Sequence, residues 1–197
     1  MFTSSHLTTA KSYLFTGALT ALRIWLALQW LKSGLSKITN PAWTDGTGRG
    51  LTSFWNNALA PNAHGGSAIT YDWYRGFLQL LVDSHAETWF SKLIASGETA
   101  VGLGLLVGAL VPMAALGGLT MNMSYMLAGS AGVNPILALA AGIMLVGRSS
   151  SGLIGFDGML AWLMRGRTAT VVRAWAVPAR RVLKTAPVVA ATQLFMR

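Results

Sequence analysis

The sequence predicts an all-α integral membrane protein, a four-helix bundle with a long extracytoplasmic loop between helices 1 and 2 and a basic cytoplasmic tail. Composition, charge and the placement of apolar runs support this fold class. Mean hydropathy is +0.50 and only 11% of the 197 residues are charged, values that do not suit a soluble domain of this length. Of fifteen Lys+Arg, eight lie at or beyond Arg148, which marks that end as cytoplasmic. The apolar residues gather into runs separated by Gly, Pro and aromatic stretches.

The first run, from about Tyr13 to Leu35, can cross about 30 Å of hydrocarbon at about 1.5 Å per residue. It carries Arg23, Gln29 and Lys32 and ends in Ser36-Lys37, a pattern of a retained span rather than a cleaved signal. Residues 38–87 form the outer loop, broken by Pro41, Gly46, Gly48, Gly50 and Pro61 and rich in Trp43, Trp55, Tyr71, Trp73 and Tyr74. Such rings suit a membrane interface, so short helices are expected near Leu51–Leu59 and Tyr71–Val82, lying against the bilayer.

Spans at about 89–111, 112–128 and 135–147 follow, the last two opened by Pro112 and Asn134-Pro135, where proline forfeits no helical hydrogen bond. Glycines 97, 102, 104 and 108 permit close helix packing in the second span. After a break at Arg148–Gly152, Leu153–Met164 reads as an interfacial helix. The transmembrane domain thus occupies 1–165 and the basic tail 166–197, where Arg165, Arg167, Arg173, Arg180, Arg181 and Lys184 suit anionic headgroups or a partly disordered segment. Four crossings place both termini in the cytoplasm of a multi-pass cell-membrane protein.

The basic residues flank apolar runs rather than a polar face, so the high pI of about 10.7 points to the lipid bilayer and not to nucleic acid. The absence of cysteine excludes disulfides, thiolate metal sites and covalently attached haem. His6, His64 and His85 all fall outside the expected spans, leaving no evident metal or haem site, and no P-loop, dinucleotide fingerprint, GxSxG or HExxH is present.

Ionisable groups at membrane depth usually face the bundle interior and find a partner. Arg23 and Glu98 are such groups, and their depths on antiparallel helices 1 and 2 predict that they meet. Two readings stay open: a salt bridge that fixes helix pairing, or a polar pocket where Glu98 passes a proton and Arg23 holds an anion or a carbonyl. Arg23, Trp30 and Lys37 are spaced by seven and share a face of helix 1. That stripe is either an access path or a snorkelling Lys37 above a packed Trp30. Lys32 is expected to snorkel. On helix 3, Asn122, Tyr125 and Gly129 share a face within the Met121, Met123, Met126 run, suited to ligand binding or to interhelical hydrogen bonding; the methionines are expected to pack.

Three segments resemble the DoxX/DoxD family of small bacterial membrane proteins: Leu22-Arg23 through Gly34-Leu35-Ser36-Lys37-Ile38; Gly97-Glu98 with the glycine-rich Gly102–Gly108; and Asn122 through Met126-Leu127-Ala128-Gly129 to Asn134-Pro135. They span most of residues 20–150, and the long outer loop is similar to that of the DoxD branch. The resemblance implies a four-helix membrane subunit of a thiosulfate dehydrogenase (quinone)-like oxidoreductase. It would work beside a second oxidoreductase subunit, with a diffusible quinone as acceptor and no covalently bound cofactor. Glu98 and Arg23 would then be catalytic, with Asn122, Tyr125, Trp30 and Lys37 binding substrate or quinone. A homo-oligomer is compatible with this reading. The alternatives are a small-anion or proton transporter and a membrane scaffold that docks a redox partner, and enzyme status stays open.

Overall fold

The computed structural model describes residues 4–61, 68–147 and 155–164. The chain divides into two units, Met1–Met159 and Leu160–Arg197; the first contains the helical assembly, and of the second only the end of the last helix is described. The tail at 166–197 and the Arg148–Gly152 break lie outside the described residues. The fold is all-α, with no strand among the described residues.

Among the described residues eight helices follow in order: α1 (Ser4–Ile38), α2 (Pro41–Thr44), α3 (Arg49–Leu59), α4 (Asp72–Asp83), α5 (Glu87–Val107), α6 (Val111–Leu127), α7 (Asn134–Val146) and α8 (Phe156–Met164). The segment Tyr13–Ile38 of α1 and the whole of α5 are long and apolar enough to cross a membrane, whereas α7 is apolar but shorter. Helix α1 packs most extensively on α5, and α6 packs on α5 and α7. Leu26, Ala27, Trp30, Leu105, Val111, Ala115, Ala141 and Met144 form the shared core.

Glycine contacts fix how α1 and α5 lie together. A Cβ at Gly34 would stand 2.6 Å from the Thr99 backbone nitrogen, and one at Gly102 would stand 2.8 Å from that of Leu31. Only hydrogen fits at either position, so the two backbones touch and their antiparallel register is locked. The second expected span, taken to run to residue 111, ends earlier, and residues 108–110 form a turn between α5 and α6. Helix α5 stops at Val107 because Gly108 takes a left-handed conformation (φ +70°) and donates its backbone N–H to the Gly104 carbonyl. Proline at the start of both α6 and α7 matches expectation.

The segment between α1 and α5, expected as an outer loop, is a packed cap. Leu51, Trp55, Ala58, Ile69, Tyr74 and Leu78 bury one face of α3 and α4 against Ala86 and Ala128, forming a second core. Tyr74 donates a hydrogen bond to the Ser124 carbonyl of α6 at 2.8 Å, and burial pushes its phenol pKa up. Trp55 and Tyr74, expected among the rings at a membrane interface, point inward; Tyr71, Trp73, Phe77 and Leu80 remain exposed. Between α2 and α3, Asp45 accepts from the Thr47 hydroxyl and backbone and from Arg49, and the Thr47 bonds above all hold its pKa at about 2.

The outside of the helical assembly is apolar. Leu93, Leu103 and Val107 of α5, Met113 and Leu116 of α6, and Ile136, Leu139 and Val146 of α7 are all exposed, Val146 to 90%.

The register contact is directly testable. Gly34→Ala should lower stability by about 1–3 kcal/mol through overpacking, read as a fall in melting temperature in detergent. Gly17→Ala, on the exposed face of α1 with nothing within 4 Å, should be neutral or stabilising by up to about 1 kcal/mol. Equal behaviour of the two variants would contradict backbone contact at Gly34.

Candidate functional site

The locked register decides which polar groups meet. Leu31 lies against Gly102 and Gly34 against Thr99, so the level of Glu98 on α5 is that of Leu35 on α1. Lys37 is near that level, whereas Arg23 sits about 18 Å away along the helix axis at 1.5 Å per residue. The expected Arg23–Glu98 pair is therefore not formed. Glu98 is completely buried (0% exposed) and accepts from Lys37 Nζ at 2.7 Å through Oε2 and from the Tyr125 hydroxyl at 2.5 Å through Oε1. Both distances are in the range of charge-assisted hydrogen bonds.

Lys37 is 17% exposed, also donates to Ser33 Oγ at 2.8 Å, and lies over the Trp43 ring at 5.1 Å from its centroid. It does not snorkel away from the bundle; its ammonium is turned in to the carboxylate. Tyr125 is steadied by Phe54 of α3, whose ring meets it edge to face with centroids 5.9 Å apart. Helices α1, α3, α5 and α6 thus all act on one carboxylate.

A cleft of about 410 Å³ adjoins this pair. Gln29, Trp30, Lys32, Ser33 and Ser36 of α1 line it, with Glu98, Asn122 and Tyr125 and with Val133, Asn134 and Leu137 near the start of α7. Asn122 is 0% exposed, yet neither its amide nitrogen nor its oxygen has a hydrogen-bond partner, and the same holds for the indole nitrogen of Trp30. Trp30 comes this close to α6 because a Cβ at Gly118 would stand 3.0 Å from that nitrogen. Native proteins rarely leave a buried amide unsatisfied, and each such group costs about 1–3 kcal/mol. Lys32, expected to snorkel, is one of the cleft's lining residues. Gly129 lies beyond the end of α6 in a left-handed conformation (φ +83°), against Ala68 of the cap rather than in the cleft.

Arg23 belongs to a second polar focus, near the middle of α1 and beside the turn between α5 and α6. It is 3% exposed, and its guanidinium occupies the space left by two glycines: a Cβ would approach its Nη1 to 2.7 Å at Gly108 and 3.2 Å at Gly155. Asp157 is its electrostatic partner, and also accepts hydrogen bonds from the backbone N–H of Leu110 at 2.9 Å and Val111 at 3.2 Å. Asp157 therefore caps the start of α6 from 46 residues downstream. Between the two foci lie Leu26, Val101 and Leu105, all buried.

Of the residues singled out by sequence, Glu98, Lys37, Tyr125, Asn122 and Trp30 converge and Arg23 does not. Sequence reasoning passed over Ser33 and Asp157. Asp157 carried a signal, since it is the one acid that follows Glu98 in an otherwise basic stretch.

The assembled group carries a carboxylate, an ammonium and a phenol in one hydrogen-bonded chain, so a proton can be held or passed there. Beside it stand an unsatisfied amide and an unsatisfied N–H donor, suited to a ligand carbonyl. No cluster of metal-ligating side chains occurs among the described residues.

The Lys37–Glu98 pair should behave asymmetrically. Lys37→Met strands a charge on a fully buried carboxylate and should destabilise by about 3–5 kcal/mol. Glu98→Gln leaves an ammonium that reaches solvent and should destabilise by about 1 kcal/mol. The double variant should recover most of the Lys37→Met loss; thermal unfolding of all three in detergent checks this, and additive losses would argue against the pairing.

Comparison of the chain with protein-family models, curated protein sequences and solved structures gives no match.

Proposed function

We propose that this chain is a four-helix membrane protein, with α1, α5, α6 and α7 crossing the cell membrane and both ends in the cytoplasm, whose cleft binds the headgroup of a quinone. The apolar exteriors of α5, α6 and α7 support the membrane setting, because water-facing surfaces seldom present such continuous apolar area. The orientation rests on the basic residues at and beyond Arg148. Helices α6 and α7 are shorter than a full hydrocarbon crossing, and the cap packs against the end of α6 at Leu127 and Ala128.

The observation that carries the quinone reading is the unsatisfied amide of buried Asn122 beside the Glu98–Tyr125–Lys37 chain. A quinone presents carbonyl oxygens to the Asn122 amide and the Trp30 N–H, and takes up protons as it takes up electrons. Tyr125, whose hydroxyl carries a proton in this chain, is placed to supply it, and the Glu98 carboxylate, its charge balanced by Lys37, is placed to relay the replacement. Arg23 is outside this role, 21 Å or so from Lys37 along α1 at 1.5 Å per residue. The electrons come from a reductant, which the likeness to the DoxX/DoxD family suggests is thiosulfate or a similar small anion, delivered with a second subunit. The buried apolar layer between the two polar foci weighs against a transport path for ions.

Reduction of a soluble quinone analogue by the purified protein with thiosulfate tests the proposal, alongside quinone binding followed by tryptophan fluorescence. Glu98→Gln should lower turnover by about 10²-fold or more while binding persists. Asn122→Leu should weaken binding by about ten-fold, yet raise stability by about 1 kcal/mol or more because an unsatisfied buried amide is removed. Unchanged quinone binding in Asn122→Leu, or stability lost in step with activity in both variants, would sink the quinone reading in favour of a scaffold.

A further inference from the structure

Tyr125 borders a second cavity of opposite character. Between α5 and α6 runs a groove of about 610 Å³ lined by Leu93, Gly97, Met113, Gly117, Met121 and neighbouring apolar residues, with Tyr125 at one end. Its side-chain hydroxyls are already engaged: Thr120 donates to the Leu116 carbonyl at 3.0 Å and Ser124 to the Thr120 carbonyl at 3.0 Å. What the groove offers a ligand is therefore hydrocarbon surface. Its depth comes from two glycines whose missing side chains are not demanded by packing, since a Cβ at Gly97 would have only Met121 Sδ nearby, at 3.8 Å, and one at Gly117 only Val101 Cγ2, at 3.5 Å. This differs from Gly34 and Gly102, where backbone excludes any side chain.

A third cavity, the larger apolar groove of about 810 Å³ along α7, includes Met126, Leu139 and Gly142 but none of the residues that line the polar cleft. The α5/α6 groove does share one, Tyr125, the residue whose hydroxyl is bound to Glu98. Tyr125 is thus the residue that borders both the polar cleft and the apolar α5/α6 groove.

We propose that the α5/α6 groove holds the aliphatic chain of the ligand whose headgroup binds in the Glu98–Asn122 cleft, so that the site selects a chain-bearing, membrane-resident quinone. Tyr125 is then the residue at which head and chain meet. The inference rests on the quinone-headgroup reading and adds to it the class of ligand. In a bilayer the chain gains little from leaving lipid, so the selectivity comes from close packing along Gly97 and Gly117.

The experiment measures binding of two probes to the full chain in lipid nanodiscs, with concentrations expressed per lipid: 2,3-dimethoxy-5-methyl-1,4-benzoquinone and its decyl-chain analogue. Wild type should bind the decyl compound about ten-fold more tightly than the chainless one. Gly97→Leu, and separately Gly117→Val, should bring the two probes to within about two-fold of each other while leaving chainless binding unchanged. Gly142→Leu, which fills the α7 groove where nothing stands within 4 Å, should keep the wild-type preference. Loss of the preference only in Gly142→Leu, or its persistence in both α5/α6 variants, would overturn the assignment while leaving the headgroup site intact. Absence of chainless-quinone binding to the wild type would overturn the headgroup reading and the inference with it.

Discussion

Backbone contact between α1 and α5 is the constraint on which the rest of the site depends. With no side chain at Gly34 and Gly102, the helices approach until Thr99 and Leu31 touch the opposing backbone, and sliding by a single turn would drive side chains into that seam. Everything polar is then assigned by depth. Lys37 is presented to Glu98, Trp30 is carried to Gly118 on α6, and Arg23 is delivered to the glycine-lined space at Gly108 and Gly155. A register set by steric exclusion needs no attraction between the charges, which matters where ion-pair formation is offset by desolvation.

The Glu98 environment shows the usual division between groups that stabilise and groups that wait. The carboxylate is satisfied twice, by an ammonium and a phenol, whereas Asn122 and Trp30 a short distance away are not satisfied at all. A core optimised for stability alone would fill the Asn122 position with an aliphatic residue. The cap contributes to this arrangement from outside the bundle, because Phe54 and Tyr74 hold the end of α6 and the Tyr125 ring through one aromatic contact and one hydrogen bond.

Much of the helical layout was legible because apolar runs, Pro112 and Asn134-Pro135 mark helix bodies and starts without reference to the rest of the fold. The short helices between α1 and α5 were legible from their aromatic residues, but which rings turn inward was not, since Trp55 and Trp73 look alike until the end of α6 is placed against the cap. Lys37, Asn122 and Tyr125 could be nominated by residue type and depth. The partner of Glu98 could not: counting residues from the ends of two helices assumes that those ends are level, and the contacts at Gly34 and Gly102 set them otherwise. Asp157 was missed for a related reason, because a cap supplied from a distant segment leaves no local spacing to read.

That distant cap has a bearing on the order of assembly. The hairpin of α5 and α6 can form as soon as both helices exist, but the amides of Leu110 and Val111 have to wait for a carboxylate that is synthesised only after all of α7. During chain elongation the turn would be hydrated or loosely held, and it would close when Asp157 arrives and meets both the turn and Arg23. The same residue ties the first helix to the last described one, so this fastening comes only after α7 has been made rather than helix by helix.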